Sequence, residues 1–430
     1  MKRVLTLAAS AAAFASTPVL AQDVALSGVT LATGDGSEPV TDGAVLIRGG
    51  KVVYAGPAAG MPETPIQLIQ TPADTWVTPG LFAAITTLGL WDVGAVSESN
   101  DGAAGRAEFS AALDVAPAIN PASQHIGIHR AAGVTRAATV LSSTDSIFEG
   151  QGAVIDLGAD GDAVVKARAF QTVELGETGA SRAGGSRAAT YAEFRNALSE
   201  ASAYAAGRWD GADAMLTRAD AEALGAVVSG RQKLFVMVER AADIRSALGL
   251  KREFPRLDLV LVGASEGWLV ADDIAAAGVP VIADGLNDLP ENFEDLASTQ
   301  SNVGRMVKAG VKVAINAAAM ENPRNLNQYA GNLVALTRIP GADGLSWGQA
   351  FAAISSAPAD IVGMGRGAGV LAPGAVGDLV VWDGDPLEVG SMPVAVYIDG
   401  VRQPLDNHQS RLRDRYRDLD ESDLPKAYDW

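Results

Sequence analysis

Eight short apolar runs alternate with helical stretches between residues 77 and 318, and this alternation limits the possible folds more than any other feature. Runs such as LFVMV and LVLVG are continuous in large apolar residues, as expected for strands buried on both faces of a sheet. Repeated strand and helix with short links predicts a parallel sheet, and eight strands predict a closed (β/α)8 TIM-like barrel. The predicted strands are 77–87, 134–142, 152–158, 164–175, 233–239, 257–264, 279–285 and 311–318.

The two ends of the chain have a different pattern, which is all-β. Residues 22–76 contain short extended segments separated by Gly-Asp-Gly or Gly-Gly, a typical hairpin signal. Extended chain returns at residues 370–403. We expect these two segments to form one small discontinuous β-sandwich domain, attached to a barrel of residues 77–369. The fold class is therefore α/β.

The N-terminal segment 1–21 has two cations, then an apolar stretch, then Val-Leu-Ala, the pattern of a cleaved signal peptide. We expect the mature chain to begin near Gln22 and to be periplasmic or secreted. A membrane anchor is the alternative reading, but it needs roughly 20 continuous apolar residues. Ser10, Ser16 and Pro18 interrupt this stretch, and no later segment is long and apolar enough to span a bilayer.

Charge and cysteine content exclude several classes of function. The chain has 33 Lys and Arg against 51 Asp and Glu, a net charge of -18, which becomes -20 once Lys2 and Arg3 are removed with the signal. Such a surface repels nucleic acid and anionic lipid headgroups, so neither is an expected partner. Cysteine is absent, which excludes disulfides and thiolate chemistry.

The C-terminal segment 404–430 is dense in charged residues and has aromatic residues near its end. Such a run is typical of a solvated helix or tail, and a docking peptide for a partner is the alternative.

Several segments carry a recognisable pattern in a recognisable order. These are LIRGGKVVYAGP, VTPGLFAA, HRAAGVTRA, FEGQGAVIDL and SSAPADIVGMGRGAGVLAPGAVGDLVVWDGDPLEV. Their order and spacing resemble the amidohydrolase superfamily, and FEGQGAVIDL resembles its periplasmic, imidazolonepropionase-like branch. The resemblance covers nearly all of the mature chain. It implies a split β-sandwich around a (β/α)8 barrel, and hydrolysis of carbon–nitrogen bonds other than peptide bonds.

The resemblance also implies a divalent metal, zinc or another, at the C-terminal mouth of the barrel. Strand residues i and i+2 point to one side, so a His-x-His pair on strand one can share a metal. Here the matching positions are Ile85 and Thr87. The further ligand positions match Met237, Gly263 and Ala318. Because none of these side chains replaces the family's ligand, we expect no metal cofactor.

The histidine count supports this expectation. The chain contains only His125, His129 and His408, and none ends a predicted barrel strand. His125 and His129 share a helix face at i and i+4, in a helix expected to have a proline in its first turn. That spacing can serve zinc, but a zinc site needs further ligands. We therefore interpret these histidines as packing or surface residues.

Acidic residues near strand ends are the remaining candidates for chemistry. Glu239, Glu266 and Asp284 are the candidate catalytic residues. Together with Glu98 and Asp101 in the loop after the first predicted strand, they offer oxygens from which a magnesium or calcium site is physically possible. Acidic residues on exposed loops of an anionic chain are more commonly solvated. The segments SSTDS and GASEG place serines near strand ends, but no histidine is positioned to act as the base of a serine nucleophile.

The sequence thus favours a non-catalytic subunit or ligand-binding relative of the amidohydrolases. The alternative is a hydrolase of non-peptide carbon–nitrogen bonds with an acidic or metal-independent site. Expected partners are a small-molecule ligand at the barrel mouth, and a second copy of the chain or a catalytically intact homologue.

Overall fold

The computed structural model describes residues 21–317, 320 and 322–417. The segment predicted to be a signal peptide lies, except for its last residue, outside the described residues. Strands and helices are numbered along the chain. The strands are β1 (Val24–Leu31), β2 (Val40–Arg48), β3 (Lys51–Pro57), β4 (Trp76–Pro79), β5 (Leu81–Thr86), β6 (Ala103–Ala104), β7 (Val134–Thr139), β8 (Ser143–Thr144), β9 (Phe148–Asp156), β10 (Val164–Glu174), β11 (Lys233–Val238), β12 (Leu259–Gly263), β13 (Val281–Asp284), β14 (Val313–Asn316), β15 (Leu379–Trp382), β16 (Pro393–Ile398) and β17 (Val401–Arg402). The helices are α1 (Gln124–Ala131), α2 (Glu177–Arg182), α3 (Arg187–Ala205), α4 (Arg218–Val228), α5 (Ala241–Glu253), α6 (Ala271–Ala277), α7 (Asn302–Lys308), α8 (Leu326–Leu336), α9 (Trp347–Ala352), α10 (Ser356–Ile361) and α11 (His408–Tyr416).

An eight-stranded sheet forms the centre of the fold, with the order β14-β13-β12-β11-β10-β9-β7-β5. The edge strands β14 and β5 contact each other, and α10 packs against both, so the sheet is a nearly closed barrel. Alternate residues of the strands fill its interior, where the rings of Phe170 and Phe235 stack with centroids 4.0 Å apart. This filled interior is typical of TIM barrels and leaves space for a site only at the ends of the strands.

One strand departs from the predicted parallel arrangement. β9 runs antiparallel to both of its neighbours, β7 and β10. The prediction of a wholly parallel sheet is therefore wrong at this strand. The reason is the length of the links, since residues 140–147 and 157–163 are shorter than the dozen or more residues that a parallel crossover requires. As a consequence, the first residues of β9 lie at the same end of the barrel as the last residues of its neighbours.

A smaller seven-stranded sheet combines both ends of the chain, in the order β17-β16-β15-β4-β1-β2-β3. β15 pairs with β4 and inserts the C-terminal segment beside the N-terminal one. An apolar cluster of its own, including Leu26, Val45, Val77 and Leu379, fills this unit. The predicted fold class, a barrel with a small discontinuous β domain, is confirmed. The exact domain boundaries stay a prediction.

A buried ion pair connects the two sheets. Arg136 of β7 donates through Nε to Asp378 Oδ2 at 2.7 Å and through Nη2 to Asp399 Oδ1 at 2.8 Å. The side chains of Arg136 and Asp378 are only 3% and 2% exposed. Asp378 also accepts the Asp399 backbone N–H at 2.9 Å. Strand β7 of the barrel is thereby connected to the residue before β15 and to the residue after β16.

The described part of the C-terminal segment forms α11, which packs near α1. Its start is capped by Asn407, whose side chain accepts the backbone N–H groups of Gln409 and Ser410. Residues 418–430 lie outside the described residues, and the docking role of the segment stays a prediction. None of the described helices is both long and apolar enough to cross a membrane.

Candidate functional site

A cavity of about 300 Å³ lies at the end of the barrel where the parallel strands finish. TIM barrels place their active sites at this end, because the loops that follow the strands converge there. The lining is of two kinds, apolar and acidic. The apolar side chains include Ile85, Val140, Leu141, Met237, Val262, Ile282 and Met320, and the acidic ones are Glu149, Glu174, Glu239, Asp284 and Glu294.

Three of the positions predicted to replace metal ligands line this cavity: Ile85, Met237 and Gly263. Thr87 is buried close to the end of β5 but is not part of the lining, and its hydroxyl has no hydrogen-bond partner among the described residues. Ala318 lies outside the described residues. The barrel thus brings most of the predicted positions together, and it does so with aliphatic, thioether and glycine groups.

Glu239 follows β11 directly, and its carboxylate is held in a fixed position. Its Oε2 accepts the Ser265 backbone N–H at 2.9 Å and the Ser265 hydroxyl at 2.6 Å. The Ser265 hydroxyl in turn accepts an N–H of Asn287 at 3.2 Å. Burial raises the pKa of Glu239 to about 7, although the hydrogen bonds from Ser265 oppose that rise.

The carboxylate of Glu239 occupies the space that a side chain at Gly263 would need. A Cβ built on Gly263 would lie 2.0 Å from Glu239 Oε1, and Gly263 has a φ of +90°. Both the close approach and the left-handed backbone require glycine at this position. A histidine there, as the family pattern would have it, cannot coexist with the observed position of Glu239.

Glu174, the last residue of β10, is the second buried acid of the cavity and was not predicted from the sequence. Burial and, next, the negative charge of Glu149 raise the pKa of Glu174 to about 8. The nearest cation, Arg182, is already paired, because it donates to Glu149 Oε1 at 2.7 Å and to the Ser146 carbonyl at 3.2 Å. Glu174 therefore has no dedicated counter-ion within the described residues.

The other two acidic candidates have different surroundings. Asp284 lines the cavity at the end of β13, accepts the Leu286 backbone N–H at 2.9 Å, and has a pKa raised by burial. Glu266 lies outside the lining. Its carboxylate accepts the Ala241 N–H at 2.9 Å and the Ala297 N–H at 3.2 Å. Glu266 thus serves the start of α5 and the loop before α7, whereas Glu239 and Asp284 share the cavity.

The histidines lie elsewhere. His125 and His129 are on α1, outside the barrel, where the His125 ring stacks on Trp91 with centroids 3.6 Å apart. His129 Nδ1 is 2.7 Å from the His125 carbonyl oxygen. The prediction of a proline in the first turn of this helix is wrong, because the helix begins only after Ser123, whose hydroxyl caps it. Across the described residues, no three His, Asp or Glu side chains are grouped so as to hold a metal ion.

The raised pKa values predict an unusual pH dependence of stability. An acid whose pKa is higher in the folded state binds more protons there than in the unfolded chain, so the free energy of unfolding falls as pH rises. For Glu174 and Glu239 the window runs from their ordinary pKa of 4.5 up to about 8. We expect the thermal midpoint to fall between pH 5 and 8.5, and Glu174→Gln to raise it at pH 8.5 by about 2–5 °C with little change at pH 5.

Calorimetry of Glu174→Gln and Glu63→Gln at pH 5 and pH 8.5 tests this expectation. Glu63→Gln is the matched control, because it removes the same charge from an exposed position. An equal effect of the two substitutions at pH 8.5 would show that general charge repulsion, and not burial of Glu174, causes the pH dependence.

Comparison with known proteins agrees with this architecture. Residues 237–407 match the family described as Amidohydrolase family. This match supports the resemblance to the amidohydrolases that the sequence shows. The matched part contains Met237, Glu239 and Gly263 of the cavity and extends through the last strands of the small sheet. The imidazolonepropionase-like branch stays a prediction.

Solved structures of several amidohydrolases and related hydrolases share the fold of this chain over most of its length. An amidohydrolase from Thermotoga maritima MSB8 has 23% identity and a TM-score of 0.77, covering 88% of this chain and 99% of its own. Molinate hydrolase has 15% identity and a TM-score of 0.55, covering 90% and 95% respectively. These identities establish similarity of fold, and function has to be argued from the site itself.

A curated relative matches a short stretch only. Amidohydrolase tasK of Hapsidospora irregularis is 50% identical over 60 residues, which is 14% of this chain and 6% of the relative. The match thus spans a small fraction of that protein.

The residues at the barrel mouth do not fit the divalent metal centre that the superfamily implies. Ile85 offers no donor atom, Met237 offers only a thioether, and the side-chain space at Gly263 is filled by a carboxylate. A catalytic zinc site needs about three imidazole, thiolate or carboxylate ligands around one open position, and no three such side chains of the described residues are grouped in that way. We therefore derive no chemical step through a metal.

Proposed function

We propose that this protein is an amidohydrolase-like, periplasmic or secreted ligand-binding protein that does not carry out the metal-dependent hydrolysis typical of the amidohydrolases. The proposal rests on the close approach of the Glu239 carboxylate to Gly263. A glycine stands where the resemblance implies a histidine ligand, and a hydrogen-bonded carboxylate occupies the vacated space. The proposed location rests on the sequence of residues 1–21.

The cavity has the properties expected of a binding site. It is concave, lies where TIM barrels bind their ligands, and combines an apolar lining with a few polar groups. Its volume of about 300 Å³ suits a small molecule. A second copy of the chain or a catalytically intact homologue as partner is part of the same proposal.

One observation favours a second candidate, a metal-independent hydrolase. The pKa values of Glu239 and Glu174, about 7 and about 8, lie near the range that general acid–base catalysis requires. Among the described residues, the hydroxyl that contacts Glu239 is that of Ser265, and it is not part of the cavity lining. The ligand-binding function therefore accounts for more of the site.

Hydrolysis assays on the full chain separate the two candidates. We expect no turnover of simple amides, hydantoins or N-acyl amino acids above the rate of a buffer blank, with or without added Zn²⁺ or Mn²⁺. Turnover that disappears in Glu239→Gln, at an unchanged thermal midpoint, would refute the binding-protein proposal and establish an acidic active site. Glu63→Gln controls for the loss of one negative charge.

A further inference from the structure

We propose that the ligand of the mouth cavity is a small organic cation whose N–H groups bind the carboxylates of Glu174 and Glu239. The inference rests on the proposed ligand-binding function and deepens it by naming the ligand class. Three features of the cavity carry it: unsatisfied acceptors, uncompensated negative charge and an apolar wall.

One buried polar atom of the cavity has no hydrogen-bond partner among the described residues, and two of its carboxyl groups have oxygen atoms that accept no hydrogen bond. The Glu174 carboxyl accepts no hydrogen bond from a described residue, and the hydrogen bonds to Glu239 all use Oε2, which leaves Oε1 facing Gly263. Asn316 Oδ1, at the end of β14, is buried without a partner in the described chain. A buried acceptor that lacks a donor raises the free energy of the site. A ligand with N–H groups removes this cost on binding, whereas a ligand that carries only acceptors does not.

The charge of the cavity has one sign. Five carboxyl groups line it, and no Lys or Arg is part of the described lining. Two arginines form ion pairs with carboxylates of the lining, Arg182 with Glu149 and Arg187 with Glu294, and Arg187 also pairs with Asp243. A cation entering this cavity therefore meets carboxylates that lack partners, in surroundings where charge–charge attraction is stronger than in water.

The remaining wall is apolar and limits the shape of the ligand. Ile85, Met237, Val262, Ile282 and Met320 line the part of the cavity nearest the barrel interior. A short alkyl chain ending in a guanidinium or ammonium group matches this division into an apolar wall and acidic groups. A guanidinium is the better match, because its planar N–H groups pair with two carboxylates at once.

Titration calorimetry with butylguanidinium and butylurea tests the ligand class. The two probes have the same number of heavy atoms and differ in charge. We expect butylguanidinium to bind at least about tenfold more tightly than butylurea, a difference of about 1.4 kcal/mol. We also expect binding at pH 7 to release protons, since the carboxyls of Glu174 and Glu239 must ionise. The charged groups that face Glu174 are Glu149, Arg182, Glu239 and Glu294.

Variants identify the carboxylates responsible. Glu174→Gln and Glu239→Gln are each expected to weaken butylguanidinium binding at least about tenfold, because each removes one charge-assisted contact. Glu63→Gln, an exposed charge removal, is expected to bind as the parent does. Glu239→Gln disturbs the contact with Ser265 and can affect folding, whereas Glu174 has no such contact, so Glu174→Gln decides the outcome if Glu239→Gln is unstable.

The outcomes separate this inference from the proposed function. Equal affinity for butylurea and butylguanidinium would overturn the cation while leaving a ligand-binding cavity. Binding of neither probe, or unchanged binding by both variants, would also overturn it. Failure of the proposed function itself has a different signature, which is turnover in the hydrolysis assays.

Discussion

Replacing Arg136 by methionine is expected to lower the free energy of unfolding by about 3–5 kcal/mol. The substitution leaves Asp378, which is 2% exposed, as a buried carboxylate without its cation. It also releases Asp399 from the same guanidinium, so the barrel loses its ionic connection to the β15–β16 hairpin. A buried charge without its partner costs far more than the intact pair contributes, which is why the expected effect is large.

Equilibrium urea unfolding, with tryptophan fluorescence and circular dichroism recorded together, measures this loss. Arg195→Met is the matched control, because Arg195 and Glu253 form an ion pair with side chains 46% and 44% exposed. Exposed pairs contribute about 1 kcal/mol or less. A second test is Arg136→Met combined with Asp378→Asn, which should recover part of the loss. If Arg136→Met costs no more than Arg195→Met, the buried pair does not hold the two sheets together.

The second large effect is expected at Gly263, which lines the cavity. Replacing it by alanine is expected to lower the free energy of unfolding by about 2–4 kcal/mol. Part of this cost is backbone strain, because alanine at a φ of +90° is unfavourable. The remainder arises because the new Cβ displaces the Glu239 carboxylate, which then loses its hydrogen bonds to Ser265. The same displacement should weaken butylguanidinium binding as strongly as Glu239→Gln does.

Gly310→Ala separates the two contributions. Gly310 also has a φ of +90°, but a Cβ there would meet no atom within 4 Å. It therefore reports backbone strain alone, expected to be about 1–2 kcal/mol. In a Glu239→Ala background, the cost of Gly263→Ala should fall to that value. Equal costs for Gly263→Ala and Gly310→Ala in the parent chain would mean that Glu239 is not fixed against Gly263.

Much of the architecture could be predicted because hydrophobic pattern and chain length determine it. Each of the eight apolar runs overlaps a strand of the barrel, since continuous apolar runs are needed wherever a strand is buried on both faces. The direction of β9 could not be read in this way. An apolar run looks the same in a parallel and an antiparallel strand, and only the short links on either side of β9 indicated its direction.

The candidate site, too, could be predicted only in part from the sequence. Glu239 and Asp284 could be found from the sequence because each lies at the end of a predicted parallel strand. Glu174 lies at the end of β10, so the same rule could have found it. Glu149 reaches the cavity because β9 is reversed, which places the start of that strand at the mouth. The position of Glu266 depends on backbone contacts that no spacing in the sequence reveals.

The close approach of Gly263 and Glu239 is the feature that most separates this chain from the family pattern it resembles. In sequence the two residues are 24 positions apart, Glu239 directly after β11 and Gly263 at the end of β12. Their contact follows from the parallel pairing of β11 with β12, in which Val238 lies opposite Gly263. The resemblance implies a histidine at this position, and in the structure the Glu239 carboxylate lies where a side chain at Gly263 would be.

Metal content is the measurement that tests the central claim most directly. The purified full chain is incubated with excess Zn²⁺ or Mn²⁺, desalted, and analysed by inductively coupled plasma mass spectrometry. Because the mouth offers Ile85, Met237 and a filled Gly263 position, we expect far less than one metal ion per chain for the parent, unchanged in Glu239→Gln. One equivalent of metal that is retained by the parent and lost in Glu239→Gln would contradict the account.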